Sequence, residues 1–460
     1  MSRAIYLLAI LSYILATLFP YIVYLKASVS LLCMLAVLVG LRNVRGLALV
    51  FGSLFLVAGS LMLVVSHAST FHYVTCFGEM IQMIALFALI PVLSLPIRFG
   101  HYSDEMEQLI NKKVNKPKQF YVLASGVSFM FSSFMNLAAL PLTYQSIASS
   151  VRHFPFSNQN KYLSCAITHG YAMPLLWSPI TPIVGTVLYM TGTPYLTILP
   201  HLLFLSIAGL LLDYLSVRII FRQRDTEQNT RVIDHAVARS TASKKRAPAK
   251  LLHIVCAILI LNGLITLLDH FSSYSFLFLV TLAVLPFTYL WCLMIHKTKY
   301  FYSGVRMHFK TDLPKMQNQF FIFLTAGYFI TALHQSKTDD IVSHWVSTLI
   351  QHTGLQLFLI LLPLIPFALA FIGLHPAIGL ALISEALHDQ VLQQAPIAVT
   401  IAMLGGAIPA FLMGPYNATL GMMSSLIQEQ PFTLSNWNFP FTVRYLLLLT
   451  VFVQYLYAWA

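Results

Sequence analysis

Charge is what this sequence has least of. Only 9% of its 460 residues are Asp, Glu, Lys or Arg, against 58% hydrophobic residues and a mean hydropathy of +0.76. So little polar surface cannot clothe a water-soluble globule, which excludes a soluble enzyme or binding domain. Carboxylates are scarcer than cations, 15 against 27. They form no paired-carboxylate motif, and neither an HExxH helix nor a nucleophile elbow occurs, so enzyme chemistry has no motif to stand on. Cysteine is nearly absent too: Cys33, Cys76, Cys165, Cys256 and Cys292 are odd in number, far apart and set in apolar runs. Without a C-x-x-C pair they exclude a disulfide framework and a thiolate metal site. Zinc-finger spacing and aromatic–basic interleaving are missing, so the net charge of +12 does not read as nucleic-acid binding. No large extracytoplasmic loop is available to handle a polymer.

What is present is a series of uncharged runs near bilayer length. Strong spanning segments cover residues 4–24, 46–65, 75–97, 119–140, 196–217, 251–268, 274–296, 355–374 and 441–458, with weaker ones at 28–41 and 319–334. The pattern predicts an all-α polytopic membrane protein of about 11–13 transmembrane helices. Residues 4–24 exceed a signal-peptide core and read as a retained first span. Placing Arg3 inside puts 22 of the 27 Lys and Arg on the cytoplasmic side, in loops at Arg42–Arg45, Arg98–Lys118, Arg218–Lys250 and Lys297–Lys315. The expected location is the cytoplasmic (inner) membrane, with the amino terminus and the 222–250 loop in the cytoplasm. That loop is basic and poor in large apolar residues, a linker, and Asp104–Lys118 reads as a short charged helix along the surface.

Two further apolar regions, 162–193 and 396–427, are interrupted by Pro, Gly, Ser, Thr and Asn. They belong to an internal duplication. FMNLAALPL, with Asn136 and Pro141, matches FALAFIGLHPAIGL, with Gly373 and Pro376. LLWSPITPIVGTVL at 175–188 matches FLMGPYNATLGMM at 411–423, and each copy closes on a long apolar helix. The first copy begins at the cytoplasmic Lys118 and the second after the external Lys337 and Asp339, so the copies have opposite orientation. The domain organisation expected is 1–118 scaffold helices, 119–221 first repeat, 222–250 linker, 251–354 connecting helices and 355–460 second repeat. Inverted repeats with broken helices imply a central site opened alternately to either side. A break persists inside a membrane only where protein or a wet cavity surrounds it, with freed helix N-termini favouring anions and freed carbonyls a cation. Simple kinking of packed helices is the alternative reading of the same prolines.

On these residues, and on the GLHPAIGLAL stretch at 373–382, residues 119–460 resemble the ion transporter superfamily of divalent-anion/sodium symporters, citrate and gluconate permeases and arsenite exporters. The resemblance implies a re-entrant hairpin and an interrupted helix in each repeat. It places Ser178 and Thr181 in the first copy, and Asn417 and Thr419 in the second, at hairpin tips that bind substrate and coupling ion. Asn136 and Gly414 join them as substrate-binding candidates. This chain reads SPIT and GPYNAT where the dicarboxylate symporters carry a Ser-Asn-Thr signature. No organic cofactor is expected, only a sodium ion or proton as coupling ion.

Ionisable residues inside apolar runs are functional candidates by default. Glu79, Asp213 and Glu385 lie near span ends, where solvation or snorkelling competes with a site role. His169, His334 and His375 read either as titrating groups of a proton-coupled cycle or as hydrogen-bonded packing histidines, and Asn262 as interhelical glue. The function expected is secondary active transport of a small anionic, carboxylate-like solute by alternating access. A membrane-embedded envelope-polymer assembly factor or enzyme, and a non-transporting accessory subunit, are the competing readings. Expected partners are membrane lipid, the small-molecule solute and a second copy of the chain as homodimer, with no nucleic acid.

Overall fold

The computed structural model describes residues 2–100, 102, 116–151, 154, 158–222, 247–387 and 394–459. Among them the chain is helical without a strand, because only helices satisfy their own backbone groups where lipid offers no partners. The first part comprises α1 (Ser2–Leu18), α2 (Val23–Asn43), α3 (Leu47–Val65), the short α4 (Thr70–Thr75), α5 (Ile81–Leu89) and, after a 3-10 turn, α6 (Leu95–Phe99). Then follow α7 (Pro117–Met135), α8 (Ala139–Val151), α9 (Gln159–Ala172), α10 (Pro182–Thr191) and α11 (Tyr195–Arg222). The middle holds α12 (Ala247–Phe271), α13 (Phe276–Met294), α14 (Thr298–Met307) and α15 (Gln317–Gln335). The chain closes with α16 (Thr338–Leu361), α17 (Leu364–Ile372), α18 (Pro376–Ala386), α19 (Pro396–Met413), α20 (Ala418–Ile427) and α21 (Pro431–Ala458).

Nine helices of the described residues are long and apolar enough to cross a membrane, or ten if the pair α16–α17, bent by 63°, counts as one span. The total falls below the 11–13 expected because α1, α10 and α18 are short apolar helices that do not qualify as spans by themselves, and α15, over the weaker run 319–334, is not among the nine either. The run 4–24 also divides: α1 stops at Leu18, ahead of Pro20, and α2 absorbs the segment that looked weak at 28–41. Most of the expected surface helix (residues 103–115) and of the linker (residues 223–246) lies outside the described residues.

Two hairpins double back inside the molecule. Phe154, just past α8, packs against Phe120 at the start of α7 with ring centroids 5.1 Å apart and planes tilted by 42°, so α8 returns to the level from which α7 set out. The tip is Asn136, at φ 48° and ψ −132°, a positive-φ conformation outside the left-handed helical well that favours glycine. The second hairpin folds at Gly373 (φ 102°), bringing Gly379 of α18 beside Leu369 of α17.

Each hairpin leans on an interrupted span. Ser128 and Ser132 of α7 donate to the carbonyls of Ile167 and Tyr171 at 2.7 and 2.6 Å, which sets α9 parallel to α7. Gly170 makes this approach possible, since a Cβ there would lie 2.2 Å from the Ser125 carbonyl oxygen. In the second unit Gly406 of α19 meets the backbone of Pro363 in the same way, at 2.5 Å. The two glycines stand 236 positions apart. The two interrupted spans run antiparallel: Asn160 at the start of α9 donates to Ile427 at the end of α20, while Thr193, just past α10, lies 3.0 Å from Thr400 near the start of α19. The repeats are therefore inverted. One end of the molecule, where α7 and α9 begin, carries Lys116, Lys118 and Lys161; the opposite end carries Glu79, Asp339, Asp340 and Glu385.

Candidate functional site

A helix that stops inside apolar surroundings leaves its last four carbonyls without intrahelical partners. At the end of α19 each of them is received. Asn417 donates its amide to Ala410 O and Phe411 O at 2.7 and 3.0 Å, Asn438 donates to Leu412 O at 2.7 Å, and Ser435 to Met413 O at 2.7 Å. The Asn417 side-chain oxygen meanwhile accepts from Leu420 N at 2.8 Å and caps α20. The break at 414–417 is thus a built element that α21 holds open. In the first repeat Ser206 donates to Met173 O at 2.9 Å, Tyr195 to Trp177 O at 2.6 Å, and Ser178 to Ser133 O at 2.6 Å.

Both breaks and both hairpin tips border one central cavity of about 70 Å³, room for roughly two waters. Its polar lining is Asn136, Tyr171, Thr181, Gln319, His375 and Thr419, and Phe87 and Phe411 supply the apolar walls. Tyr171 donates to Asn136 Oδ1 at 3.1 Å and lies within reach of Thr419, joining the first tip to the second break. His375 accepts from Ala377 N at its Nδ1, 3.2 Å away, which leaves the proton on Nε2 in the neutral ring. The Thr181 hydroxyl is buried and, among the described residues, lacks a hydrogen-bond partner.

This architecture has counterparts among solved structures. It is similar to the YdaH transporter of Alcanivorax borkumensis, with a TM-score of 0.60 and 12% identity, covering 88% of this chain and 97% of that one. It is likewise similar to MtrF of Neisseria gonorrhoeae, one of a class of antimetabolite efflux pumps, with a TM-score of 0.56 and 12% identity, covering 88% of this chain and 94% of that one. At such identity the likeness shows the fold alone. No protein-family model and no curated protein matches the chain.

Of the six residues singled out by sequence, Asn136, Thr181 and Thr419 line the cavity. Ser178, Gly414 and Asn417 stand behind it. Ser178 and Asn417 spend their polar atoms on backbone groups, and Gly414 admits Ala370, whose Cβ would be 2.9 Å from a Cβ at this position. The SPIT and GPYNAT segments are interruptions of spanning helices, and the hairpin tips are instead 136–138 and 373–375. His375, Tyr171 and Gln319 were not among the expected ligands. The break before Pro376 is the signal that points to His375.

Toward the acidic end opens a vestibule of about 620 Å³ lined by Glu79, Tyr189, His334, Asp339, Ser384 and Glu385. It is separated from the cavity by a single turn of α10: Ile183 faces the cavity, whereas Thr186 lines the vestibule, 3.1 Å from Met83 Sδ of α5. Glu79 and Glu385 are therefore vestibule groups. His334, Asp339 and Glu385 bring one ligand atom each within 4.8 Å of one another, the one such group among the described residues, but His334 Nδ1 is already bonded to Asp339 at 2.8 Å. Asn262 accepts from Tyr195 at 3.2 Å and so ties α12 to α11.

Asp213 departs most from expectation. It does not snorkel: only 2% of it is exposed, and it pairs with His169 at 2.8 Å.

Proposed function

We propose that this chain is a secondary active transporter that moves a small anionic, carboxylate-like solute across the cytoplasmic membrane by alternating access, coupled to sodium or protons. The observation that carries the reading is the single cavity on which two hairpin tips and two helix breaks of opposite orientation converge. Helices α8, α10, α18 and α20 all start at its border. Their N-termini carry partial positive charge, with Leu420 N and Ala377 N already bonded to Asn417 and His375, so they stabilise an anion although among the described residues no Lys or Arg lines the cavity. Thr181 supplies an uncommitted hydroxyl, and Asn136, Tyr171 and Thr419 supply further polar atoms.

The similar folds of a transporter and an efflux pump support transport as the class of function. Kinship with the ion transporter superfamily rests on the residue patterns of 119–460. The positive-inside rule puts the end with Lys116, Lys118 and Lys161 in the cytoplasm and the acidic vestibule outside.

The test is flux into proteoliposomes containing the full chain, using a panel of radiolabelled mono- and dicarboxylates. Saturable uptake is expected, falling at least about tenfold in Thr181→Val and Asn136→Ala. Absence of flux for every acid, or flux untouched by both substitutions, overturns the assignment of this cavity.

A further inference from the structure

The interior of the molecule holds a second polar constellation that the cavity does not use. His169 (α9), Tyr121 (α7), Asp213 (α11) and Asn438 (α21) are all buried and mutually hydrogen-bonded. The first three belong to the first repeat and Asn438 to the last helix of the second, so the group lies across the boundary between repeats.

Its proton content follows from the acceptors. The Leu412 carbonyl can only accept, so Asn438 must turn its NH₂ toward it, 2.7 Å away. That leaves Asn438 Oδ1 facing His169 Nε2 at 3.1 Å, and Nε2 must therefore carry a hydrogen and donate. On the other side of the ring, Nδ1 lies 2.8 Å from Asp213 Oδ1. In a neutral imidazole protonated at Nε2, Nδ1 is a lone pair; against an ionised carboxylate two acceptors would collide. A proton has to lie between them, whether it is written on the imidazole or on the carboxyl. Tyr121 donates to the same Asp213 oxygen at 3.1 Å, and Asp213 Oδ2 has no partner among the described residues.

Resting on the transporter reading above, we propose that the His169–Asp213 pair is the coupling-ion site, that the ion is a proton, and that it travels with the anionic solute. Binding takes one proton from water and forms one N–H···O bridge; release returns it to water and leaves a buried pair with a net negative charge. The other titratable groups facing the pair are Tyr121 from α7, Tyr214 from α11, Tyr162 and Cys165 from α9, and Tyr445 beyond Phe441 from α21, with Lys161 acting on Cys165. Among the described residues His169 is the only cation-forming side chain within 4.0 Å of Asp213.

Two couplings follow. Loss of the proton sets Asp213 against the Nδ1 lone pair, and any turn of the ring that relieves this breaks its bond to Asn438, leaving the Thr168 hydroxyl, 3.1 Å from Asn438 Oδ1, as the remaining side-chain bond from α9 to the residue that holds the Leu412 carbonyl at the second break. The uncompensated negative charge sits on Asp213 of α11, held against His169, which stands two residues along α9 from the cavity-lining Tyr171, and it opposes an anion in the cavity. Proton and anion each favour the other's binding.

The experiment reads vestibule opening without any solute. Ser384, 8% exposed and lining the vestibule, is replaced by Cys in a Cys256→Ser background, the other four cysteines being buried. The full chain in liposomes is labelled with a membrane-impermeant maleimide over a pH series at fixed sodium and a sodium series at fixed pH, each rate corrected for thiolate fraction. The corrected rate is expected to change with pH by up to about tenfold per unit over its steep range and to be flat in Asp213→Asn and His169→Gln. Asp213→Glu should restore the pH slope at a shifted midpoint. As a second readout, ¹⁵N-histidine spectra should show a bridging proton at His169 Nδ1 that Asp213→Asn abolishes. An unchanged pH slope in both variants, or a rate that follows sodium instead, overturns the proposal. If no carboxylate is transported while labelling remains pH-gated through Asp213, the proton site stands and the solute class is wrong. Carboxylate flux with labelling indifferent to Asp213 sinks the proton site alone.

Discussion

Thr181 and Asn417 are both small polar residues at helix breaks, yet they do opposite work. The Thr181 hydroxyl is buried without a partner, whereas every polar atom of Asn417 is bonded to backbone. Replacing Thr181 by Val keeps the shape and deletes an unsatisfied group, so thermal unfolding in detergent should be unchanged or shifted upward by at most about 1 kcal/mol, while carboxylate flux drops. Asn417→Ala removes a cap and strands the Phe411 carbonyl, while Ala410 O keeps its bond from Gly414 N, and the same measurement should show a loss of about 2 kcal/mol or more. A reversed pattern would exchange their roles. Asn136 and Thr181 were legible as site candidates because a polar residue next to a break has few other reasons to be in an apolar run. Asn417 carried the same signal. Only the positions of Ala410, Phe411 and Leu420 show where its atoms are spent.

At the scale of elements, the hairpin and its neighbouring interrupted span form the unit that is repeated. Gly170 and Gly406 occupy matching places in it, each letting the span lie directly on the backbone of the hairpin's first arm. Gly170→Ala and Gly406→Ala should each cost about 1–3 kcal/mol, read by the midpoint of thermal unfolding. Gly263→Ala in α12, with nothing within 4 Å of the new Cβ, should be neutral or stabilising by up to about 1 kcal/mol. Equal costs in all three would mean that helix propensity decides, not the close approach. The repeat was readable from the order of apolar run, break, proline and apolar run, since those features follow from backbone chemistry that any interrupted helix shares. Which break is a hairpin and which a through-going span was not readable, because a reversal and a kink use the same residues. The contact of Phe154 with Phe120 decides it.

At the scale of the whole molecule, alternating access requires the two inverted units to move against each other. Thr193 and Thr400 touch across them at the acidic end, with hydroxyls 3.0 Å apart. A disulfide between Thr193→Cys and Thr400→Cys, in the Cys256→Ser background, should abolish carboxylate flux, and reductant should restore it; undiminished flux in the oxidised state would mean that opening does not part these ends. The acidic lining of the vestibule, Glu79, Asp339, Asp340 and Glu385, draws cations and repels anions at that end, while Lys116, Lys118 and Lys161 mark the other. Composition by itself determined that the chain lives in lipid, since 58% apolar residues with 9% charge cannot clothe a water-soluble globule, and continuous uncharged runs of bilayer length determined that it is helical. Order along the chain determined that it is built twice, in opposite senses. What faces the cavity, and what Asp213 is for, only the tertiary structure decided. A carboxylate near a span end looks the same in sequence whether it reaches for water or for a histidine 44 positions away, and the difference in desolvation exists only once α9 and α11 are packed.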